Sequence, residues 1–211
     1  MSTMQEISEA LQKGKANDVK EMVQSELDKG TSAKSILEEG LMAGMDVVGR
    51  RFKANEIYVP EVLIAARAMA AGTDLLKPQL VSEDVQAKGT IVLGTVKGDL
   101  HDIGKNLVKM MFEGKGFNVV DLGTDVPADK FVAAAAENKA DIVACSALLT
   151  TTMTEMKTII DAFTASGARD SVKIMIGGAP VTQQYCESIG ADAYAADAAS
   201  AAESAVAFIE A

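Results

Sequence analysis

Residues 90–104 read TIVLGTVKGDLHDIG. The first part, 90–96, is a continuous run of apolar and β-branched residues, which is typical of a strand buried on both faces of a parallel sheet. The remainder is polar, holds the only histidine of the chain, His101, and ends on Gly104, where a helical pattern begins. A buried strand that passes through a polar loop into a helix is the building unit of doubly wound α/β domains.

The same alternation of apolar runs and helical patterns continues to the end of the chain. The predicted strands are 90–96, 118–121, 141–146, 173–176 and 193–195. The predicted helices are 104–114, 128–138, 152–166, 180–189 and 198–210. This order predicts an α/β domain with a Rossmann-like, flavodoxin-like, doubly wound parallel sheet of five strands. Ligands of such sheets bind beyond the carboxyl ends of the strands, so we expect the site in the loops at 97–104, 122–127, 147–152 and 177–180.

The N-terminal part has a different pattern of apolar residues. Residues 1–76 show apolar side chains at helical spacing and predict a bundle of four helices, the last of them running from Pro60 to about Leu76. Residues 77–88 lose this periodicity and are interpreted as a linker. We therefore predict a helical domain over about 1–80 and a second domain over 89–211.

Composition narrows the range of partners. The net charge of −10 makes nucleic acid and anionic lipid poor partners, because both would be repelled. Neither Cys145 nor Cys186 has the spacing of a zinc site, and two isolated cysteines suit a reducing compartment. No signal peptide or apolar run of about 18 residues is evident. We expect a cytoplasmic protein that binds neither nucleic acid nor membrane.

The loop after the first strand is the strongest candidate for chemistry. Imidazole is a common ligand of transition metals, and its second nitrogen needs a partner that sets its tautomer. Asp99 stands two residues before His101 and could be that partner. One histidine cannot build a zinc site, but it can supply one axial ligand to a metal held in a macrocycle. The alternatives are a structural histidine and an aspartate that only caps the following helix.

Three short motifs together carry a resemblance to a known family. Asp99-x-His101-x-x-Gly104 resembles the DxHxxG signature of cobalamin-binding domains, as in cobalamin-dependent methionine synthase and the corrinoid proteins of methyltransferase systems. The family's SxL motif corresponds to 146–148, and its paired glycines correspond to 177–178.

The resemblance implies roles for individual residues. His101 would be the axial ligand to cobalt in place of the cofactor's own base, and Asp99 would accept a hydrogen bond from its other ring nitrogen. Thr152 would add a hydroxyl to this relay. Gly177 and Gly178 would leave room for the nucleotide tail of the cofactor. The further cofactor contacts implied by the resemblance are Asp102, Ile103, Gly104, Ser146, Leu148 and Thr150.

The helical part also resembles the family, at the segment between its third and fourth helices. This segment, 52–62, is similar to a cap over the methyl-bearing face of the corrinoid. The resemblance implies that Phe52, Tyr58, Val59 and Val62 cover that face, and that the helical part swings away to admit partners.

The function implied by the resemblance is methyl transport. The cofactor would be cobalamin or a related corrinoid, cycling between methylcob(III)alamin and cob(I)alamin. The expected partners are a substrate:corrinoid methyltransferase, a second methyltransferase that passes the methyl group to tetrahydrofolate or coenzyme M, and a reductive activase. The methyl donor would be a methylamine, betaine, methanol or an aryl methyl ether. The chain would then be a carrier subunit rather than a complete enzyme.

Two other functions share the cofactor domain. A B12-sensing regulator would carry a basic DNA-binding segment, and residues 1–30 show none. A small subunit of an adenosylcobalamin mutase would lack the preceding helical part. The upper ligand of the purified protein separates these functions, since a carrier holds methyl or none and both rivals hold adenosyl.

Overall fold

The computed structural model describes residues 2–211, which form two compact units. The first unit ends at Ala87 and includes Gly114–Gly116, and the second comprises Lys88–Glu113 and Phe117–Ala211. Met1, the first residue of the predicted helical domain, lies outside the described residues. No helix within residues 2–211 combines the length and the apolar character needed to cross a membrane.

The first unit is helical, as predicted. Its helices are α1 (Thr3–Gln12), α2 (Ala16–Asp28), α3 (Ala33–Ser35), α4 (Ala43–Lys53) and α5 (Val59–Ser82), with a π-helix at Ile36–Met42 joining α3 to α4. Serine side chains accept backbone N–H groups at two helix starts, Ser2 at α1 and Ser32 at α3. The apolar stripes meet in a core of fully buried side chains that includes Ile7, Leu11, Val19, Ile36, Leu41 and Leu76.

Helix α5 is longer than predicted. We expected it to end near Leu76, but it continues through Pro78 to Ser82, so part of the predicted linker is helical. Pro78 removes one backbone donor without ending the helix. A tertiary contact anchors the chain just past the helix end, because the carboxylate of Glu83 accepts the N–H groups of Ala33 (2.9 Å) and Lys34 (3.2 Å). The spacing of apolar residues within 77–88 could not have predicted this contact, because its partners lie about 50 residues away.

The second unit is built on a parallel sheet, which confirms the predicted α/β fold. Its strands are β1 (Thr90–Thr95), β2 (Asn118–Asp121), β3 (Ile142–Ser146), β4 (Lys173–Gly177) and β5 (Ala193–Ala195). The order across the sheet is β2-β1-β3-β4-β5, the flavodoxin-like arrangement, and every neighbouring pair is parallel. Strand β1 is buried from Ile91 to Thr95, which accounts for its apolar sequence.

Helices cover the sheet. They are α6 (Ile103–Gly114), α7 (Ala128–Asn138), α8 (Glu155–Ala165), α9 (Gln183–Ile189) and α10 (Ala198–Glu210), with a short 3₁₀ turn at Arg169–Ser171. The large side chains of Phe131, Met156 and Phe163 are fully buried in the core. We predicted α8 from residue 152, but 151–154 form a turn and the helix begins at Glu155.

The carboxyl ends of β1, β3 and β4 are tied together at one edge of the sheet. Val96 donates its N–H to the carbonyl of Ser146 (3.0 Å), and Ala147 donates to the carbonyl of Gly177 (3.2 Å). The loops after these strands therefore start from fixed positions. Most of the predicted site residues of the second unit lie on them.

Candidate functional site

The loop after β1 turns sharply to present Asp99 and His101. Gly98 has φ +78°, a conformation that favours glycine, and the N–H of Asp99 closes the turn on the carbonyl of Val96 (3.1 Å). The side chain of Asp99 is fully buried, whereas that of His101 is 54% exposed. One turn thus sets a buried carboxylate beneath an exposed imidazole.

Both oxygens of Asp99 are saturated with donors. Oδ1 accepts the N–H of His101 (3.1 Å) and lies 2.9 Å from its Nδ1. Oδ2 accepts the hydroxyl of Thr152 (2.7 Å) and the N–H groups of Leu148 (2.7 Å) and Leu149 (3.3 Å). The carboxylate therefore connects the β1 loop to the β3 loop across the edge of the sheet.

These contacts keep Asp99 ionised. Burial alone would raise its pKa, but the donors from Leu148, Thr152 and His101 outweigh burial and hold the pKa well below its usual range. An ionised carboxylate can only accept, so the contact with His101 requires the proton on Nδ1. The Nε2 lone pair is then left for a ligand.

A metal bound at His101 would have to bring its other ligands with it. Within residues 2–211, no group of three or more His, Cys, Asp or Glu side chains is arranged to hold a metal ion. The donor set suits a single axial bond to a metal whose remaining positions a macrocycle fills.

Apolar side chains on the loops after β1 and β3 and at the start of α6 are exposed. Leu100 is 74% and Ile103 76% exposed, and Leu148 and Leu149 are each about two-fifths exposed. Large aliphatic groups clustered at a ligand-binding edge are typical of a surface that a ligand covers.

The predicted glycines have different structural reasons. A Cβ on Gly178, which has φ +127°, would lie 1.8 Å from the carbonyl oxygen of Ala147, and one on Gly177 would lie 3.3 Å from that of Ala195. Gly178 is thus required by the protein's own backbone, a reason that we did not foresee when we expected room for a cofactor tail. Gly104, in contrast, lies in α6, and a Cβ added there would have nothing within 4 Å.

The other predicted residues of this unit lie on the same loops with fewer contacts. Asp102 is exposed, and its backbone and side chain both accept from Asn106, which supports the start of α6. Ser146 ends β3 and is half-buried, and Thr150 is exposed.

The four predicted residues of the first unit form a separate set. Tyr58 is 66% exposed and precedes α5, where its N–H donates to Glu61 (3.1 Å). Phe52 and Val59 are half-buried, and Val62 is fully buried. A contact of these residues with a cofactor rests on the sequence resemblance alone.

Two residues that hold the loop after β1 (residues 97–102, called the histidine loop below) were not predicted from the sequence. Thr95 is fully buried and donates its hydroxyl to the carbonyl of His101 (2.9 Å). Asp125, after β2, accepts the N–H of Gly98 (2.7 Å) and donates its own N–H to Asp99 (3.0 Å). A polar residue ending a buried strand was the available signal for Thr95, whereas Asp125 had none beyond its loop.

A buried ion pair also supports this edge. Lys105, the residue after Gly104, is 3% exposed and contacts both carboxylate oxygens of Asp121 (2.7 and 2.8 Å). Burial would raise the pKa of Asp121, but Lys105 and the N–H of Gly123 lower it below its usual value. The pair ties α6 to the end of β2.

Comparison with known proteins matches both units. Residues 89–209 match the family described as B12 binding domain, and residues 3–77 match a second family with the same description. A corrinoid protein of Desulfitobacterium hafniense (strain Y51) is 41% identical over 206 residues, 96% of this chain and 95% of that protein. The dimethylamine corrinoid protein of Methanosarcina barkeri is 44% identical over 200 residues, 94% and 93% of the two chains.

A solved structure extends the likeness to three dimensions. A chain in the crystal structure of the methanol:cobalamin methyltransferase complex from Methanosarcina barkeri superposes with a TM-score of 0.87 at 33% identity, and the match covers 99% of this chain and 80% of that one.

Proposed function

The chain belongs to the B12-binding family of corrinoid proteins and binds a corrinoid, and from this premise we propose that it carries a methyl group between two methyltransferases. When bound, the corrinoid supplies a cobalt centre that takes a methyl group from a donor and gives it to an acceptor. The observation that carries the proposal is the buried Asp99 carboxylate, which holds Nδ1 of the only histidine and leaves Nε2 free.

The ligand role of His101 follows from this arrangement. Asp99 holds the proton on Nδ1, so Nε2 presents a lone pair from a ring that is half exposed. The negative charge of Asp99, which contacts Nδ1, makes Nε2 a stronger electron-pair donor to a metal. Thr95 and Thr152 fix the two ends of this arrangement, the first at the carbonyl of His101 and the second at Oδ2 of Asp99.

The same residues would be able to hold a proton on Nε2 whenever that nitrogen did not bind a metal. The half-exposed ring would be reachable from solvent, and the carboxylate of Asp99 would compensate the positive charge. The proton stays on the imidazole rather than on Asp99, since the donors to that carboxylate stabilise its ionised form. Thr152 keeps its hydroxyl on Asp99 throughout, with the carbonyl of Leu149 as a second acceptor at 3.1 Å.

The surroundings of His101 fit a large, partly apolar ligand. Gly104 stands in the first turn of α6 although glycine weakens a helix, and the space around it is open. A cofactor that approaches the backbone at this turn supplies the reason for a glycine. Exposed Leu100, Ile103 and Leu148 offer apolar contacts nearby. We assign Asp102, Ser146, Thr150 and Gly177 to the same cofactor surface.

The methyl donor is proposed from the relatives. One relative is named for dimethylamine, and a solved neighbour belongs to a methanol:cobalamin methyltransferase complex. We therefore place methylamines and methanol ahead of betaines and aryl methyl ethers as donors, each delivered by its own methyltransferase. A second methyltransferase to tetrahydrofolate or coenzyme M and a reductive activase complete the proposed system.

Ligation can be measured directly, because the chain has a single histidine. Protein labelled with ¹⁵N-histidine and reconstituted with hydroxocobalamin, then reduced to Co(II), is expected to show hyperfine coupling from the labelled nitrogen in electron paramagnetic resonance. His101→Ala should lose this coupling and serves as the control. Coupling from the cofactor's own benzimidazole in the wild type would contradict the ligand assignment.

Methyl transport has its own test. For this test the reconstituted protein is reduced further, to Co(I), and is mixed with a methyltransferase for dimethylamine or for methanol, together with that enzyme's substrate. We expect the visible spectrum of the corrinoid to change to the methylated form only when enzyme and substrate are both present. Failure with every donor class named above, together with an adenosyl group on the isolated protein, would contradict the carrier function.

A further inference from the structure

We propose that Asp125 is a positioning residue for His101, which it holds by clamping the backbone on either side of the Gly98–Asp99 peptide, at the N–H of Gly98 and the carbonyl of Asp99. This inference rests on the proposed ligation of cobalt by His101. Asp125 touches neither the imidazole nor, in our proposal, the corrinoid. It acts through the backbone that carries the carboxylate of Asp99.

Two hydrogen bonds from one residue form the clamp. The Asp125 carboxylate accepts the N–H of Gly98 at 2.7 Å, and the Asp125 N–H donates to the carbonyl of Asp99 at 3.0 Å. Consecutive residues of the histidine loop are therefore held from the same side. Gly98 is the conformationally freest residue of that loop, so a bond to its N–H restrains the point at which the loop would move most easily.

The loop that carries Asp125 is itself anchored to β1. Thr95 donates its N–H to Gly123 (2.9 Å), and Val126 donates to the carbonyl of Thr95 (3.0 Å). Val96 and Val126 form a parallel bridge beyond the end of the strands. Asp125 thus reaches the histidine loop from a segment that continues the sheet, and the clamp has a rigid base.

The backbone of Asp125 explains why an aspartate stands here. Its φ of +54° is left-handed, a conformation that aspartate and asparagine tolerate better than other residues with a side chain. The residue is exposed, so packing in the core does not account for it. Tolerance of this φ together with a side-chain acceptor for Gly98 satisfies both local requirements.

Three substitutions separate the acceptor from the backbone conformation. Asp125→Asn keeps both, because the amide oxygen can accept from Gly98. Asp125→Gly keeps the left-handed conformation and loses the acceptor, and Asp125→Ala loses the acceptor and strains the backbone. Asp84→Ala is the matched control for strain, since Asp84 also has a left-handed φ, +52°, and lies past the end of α5 in the first unit, where its side chain accepts from nearby Gln86.

The readout is the tautomer of the single histidine in protein without corrinoid. Labelled with ¹⁵N-histidine and studied by NMR at alkaline pH, the wild type and Asp125→Asn should hold the proton on Nδ1. In Asp125→Gly and Asp125→Ala, we expect the fraction protonated on Nε2 to rise at least threefold, while Asp84→Ala matches the wild type. An unfolded chain would also favour the proton on Nε2, because that is the preferred tautomer of an unconstrained neutral histidine. The ratio is therefore compared only among variants whose amide spectra show the folded protein.

The outcomes distinguish this inference from the proposed function. An unchanged tautomer ratio in both Asp125→Gly and Asp125→Ala overturns the clamp, even if the Co(II) protein shows histidine coupling. A shifted tautomer ratio supports the clamp even if the histidine coupling is absent. Absence of that coupling would count only against the ligation of cobalt by His101. If both the shift and the coupling appear, Asp125→Gly should also show at least a threefold weaker histidine signal in the Co(II) spectrum than Asp125→Asn.

Discussion

Gly178→Ala is expected to lower the free energy of unfolding by about 2–4 kcal/mol, from the combined cost of overpacking and backbone strain. The added Cβ would lie 1.8 Å from the carbonyl oxygen of Ala147, a distance that no contact tolerates, at φ +127°. Ala147 must move, and its neighbour Leu148 donates to Asp99, so the damage reaches the histidine site. A fall of roughly 10 °C in the melting temperature of the corrinoid-free protein would show it.

Gly104→Ala is the matched control. Nothing lies within 4 Å of its added Cβ and the residue is helical, so the corrinoid-free protein should gain about 0.5–1 kcal/mol. Corrinoid affinity should fall in this variant, since the methyl group occupies the proposed approach of the cofactor. Equal melting temperatures for Gly178→Ala and the wild type would contradict the backbone explanation.

The difference between Gly178 and Gly104 changes how a loss of corrinoid binding in glycine variants is interpreted. A large residue at 178 would abolish corrinoid binding by displacing the β3 loop, whether or not a cofactor tail passes nearby. Gly104 is the better probe of cofactor approach, because the protein by itself does not require a glycine there.

Asp99→Asn is expected to cost about 3 kcal/mol of stability at neutral pH, because buried donors lose a charged acceptor. Either orientation of the amide turns an NH₂ group toward donors, on the side of His101 or on the side of Leu148 and Thr152. The imidazole also loses the partner that sets its tautomer, so the histidine signal of the Co(II) protein should weaken. Asp170→Asn, which changes an exposed carboxylate in the 3₁₀ turn outside the proposed site, should leave both properties near wild type.

The pH dependence gives a second check on Asp99. Its pKa is lower in the folded than in the unfolded protein, so its contribution is fully present above the unfolded value of about 3.9 and is lost as the pH falls toward the folded value. Denaturant titrations should show the gap between wild type and Asp99→Asn narrowing below about pH 4. A gap that is constant from pH 7 down to pH 3 would mean that the carboxylate charge is not the cause.

Much of the second unit could be predicted because its signals are local. The apolar run of β1 is buried, and the alternation of strands and helices led to the observed parallel sheet of five strands. Burial on both faces forces continuous apolar strands, and parallel connections force helices between them. The positions of Asp99 and His101 at a strand end follow from the same pattern.

Contacts between distant segments could not be predicted in this way. The extension of α5 to Ser82 accompanies the bond of Glu83 to a helix 50 residues away, and the glycine at 178 depends on a carbonyl in another loop. Asp125 reaches Gly98 across 27 residues. Hydrophobic periodicity reports the environment of one segment and is silent about which polar atom of another segment comes within bonding distance.

The sequence by itself therefore determined the class of fold, the edge of the sheet at which Asp99 and His101 lie, and the single imidazole that we propose as a metal ligand. Only the tertiary structure showed that Asp99 is fully buried and that donors contact both of its carboxylate oxygens. It also showed that the carbonyl of Ala147 leaves no room for a Cβ at Gly178. The hydrogen bonds by which Thr95 and Asp125 hold the histidine loop were likewise visible only there. The physical reason is range. The burial pattern of a strand can be recognised in its own sequence. Hydrogen bonds and close contacts between distant segments form only when folding has brought the strands side by side.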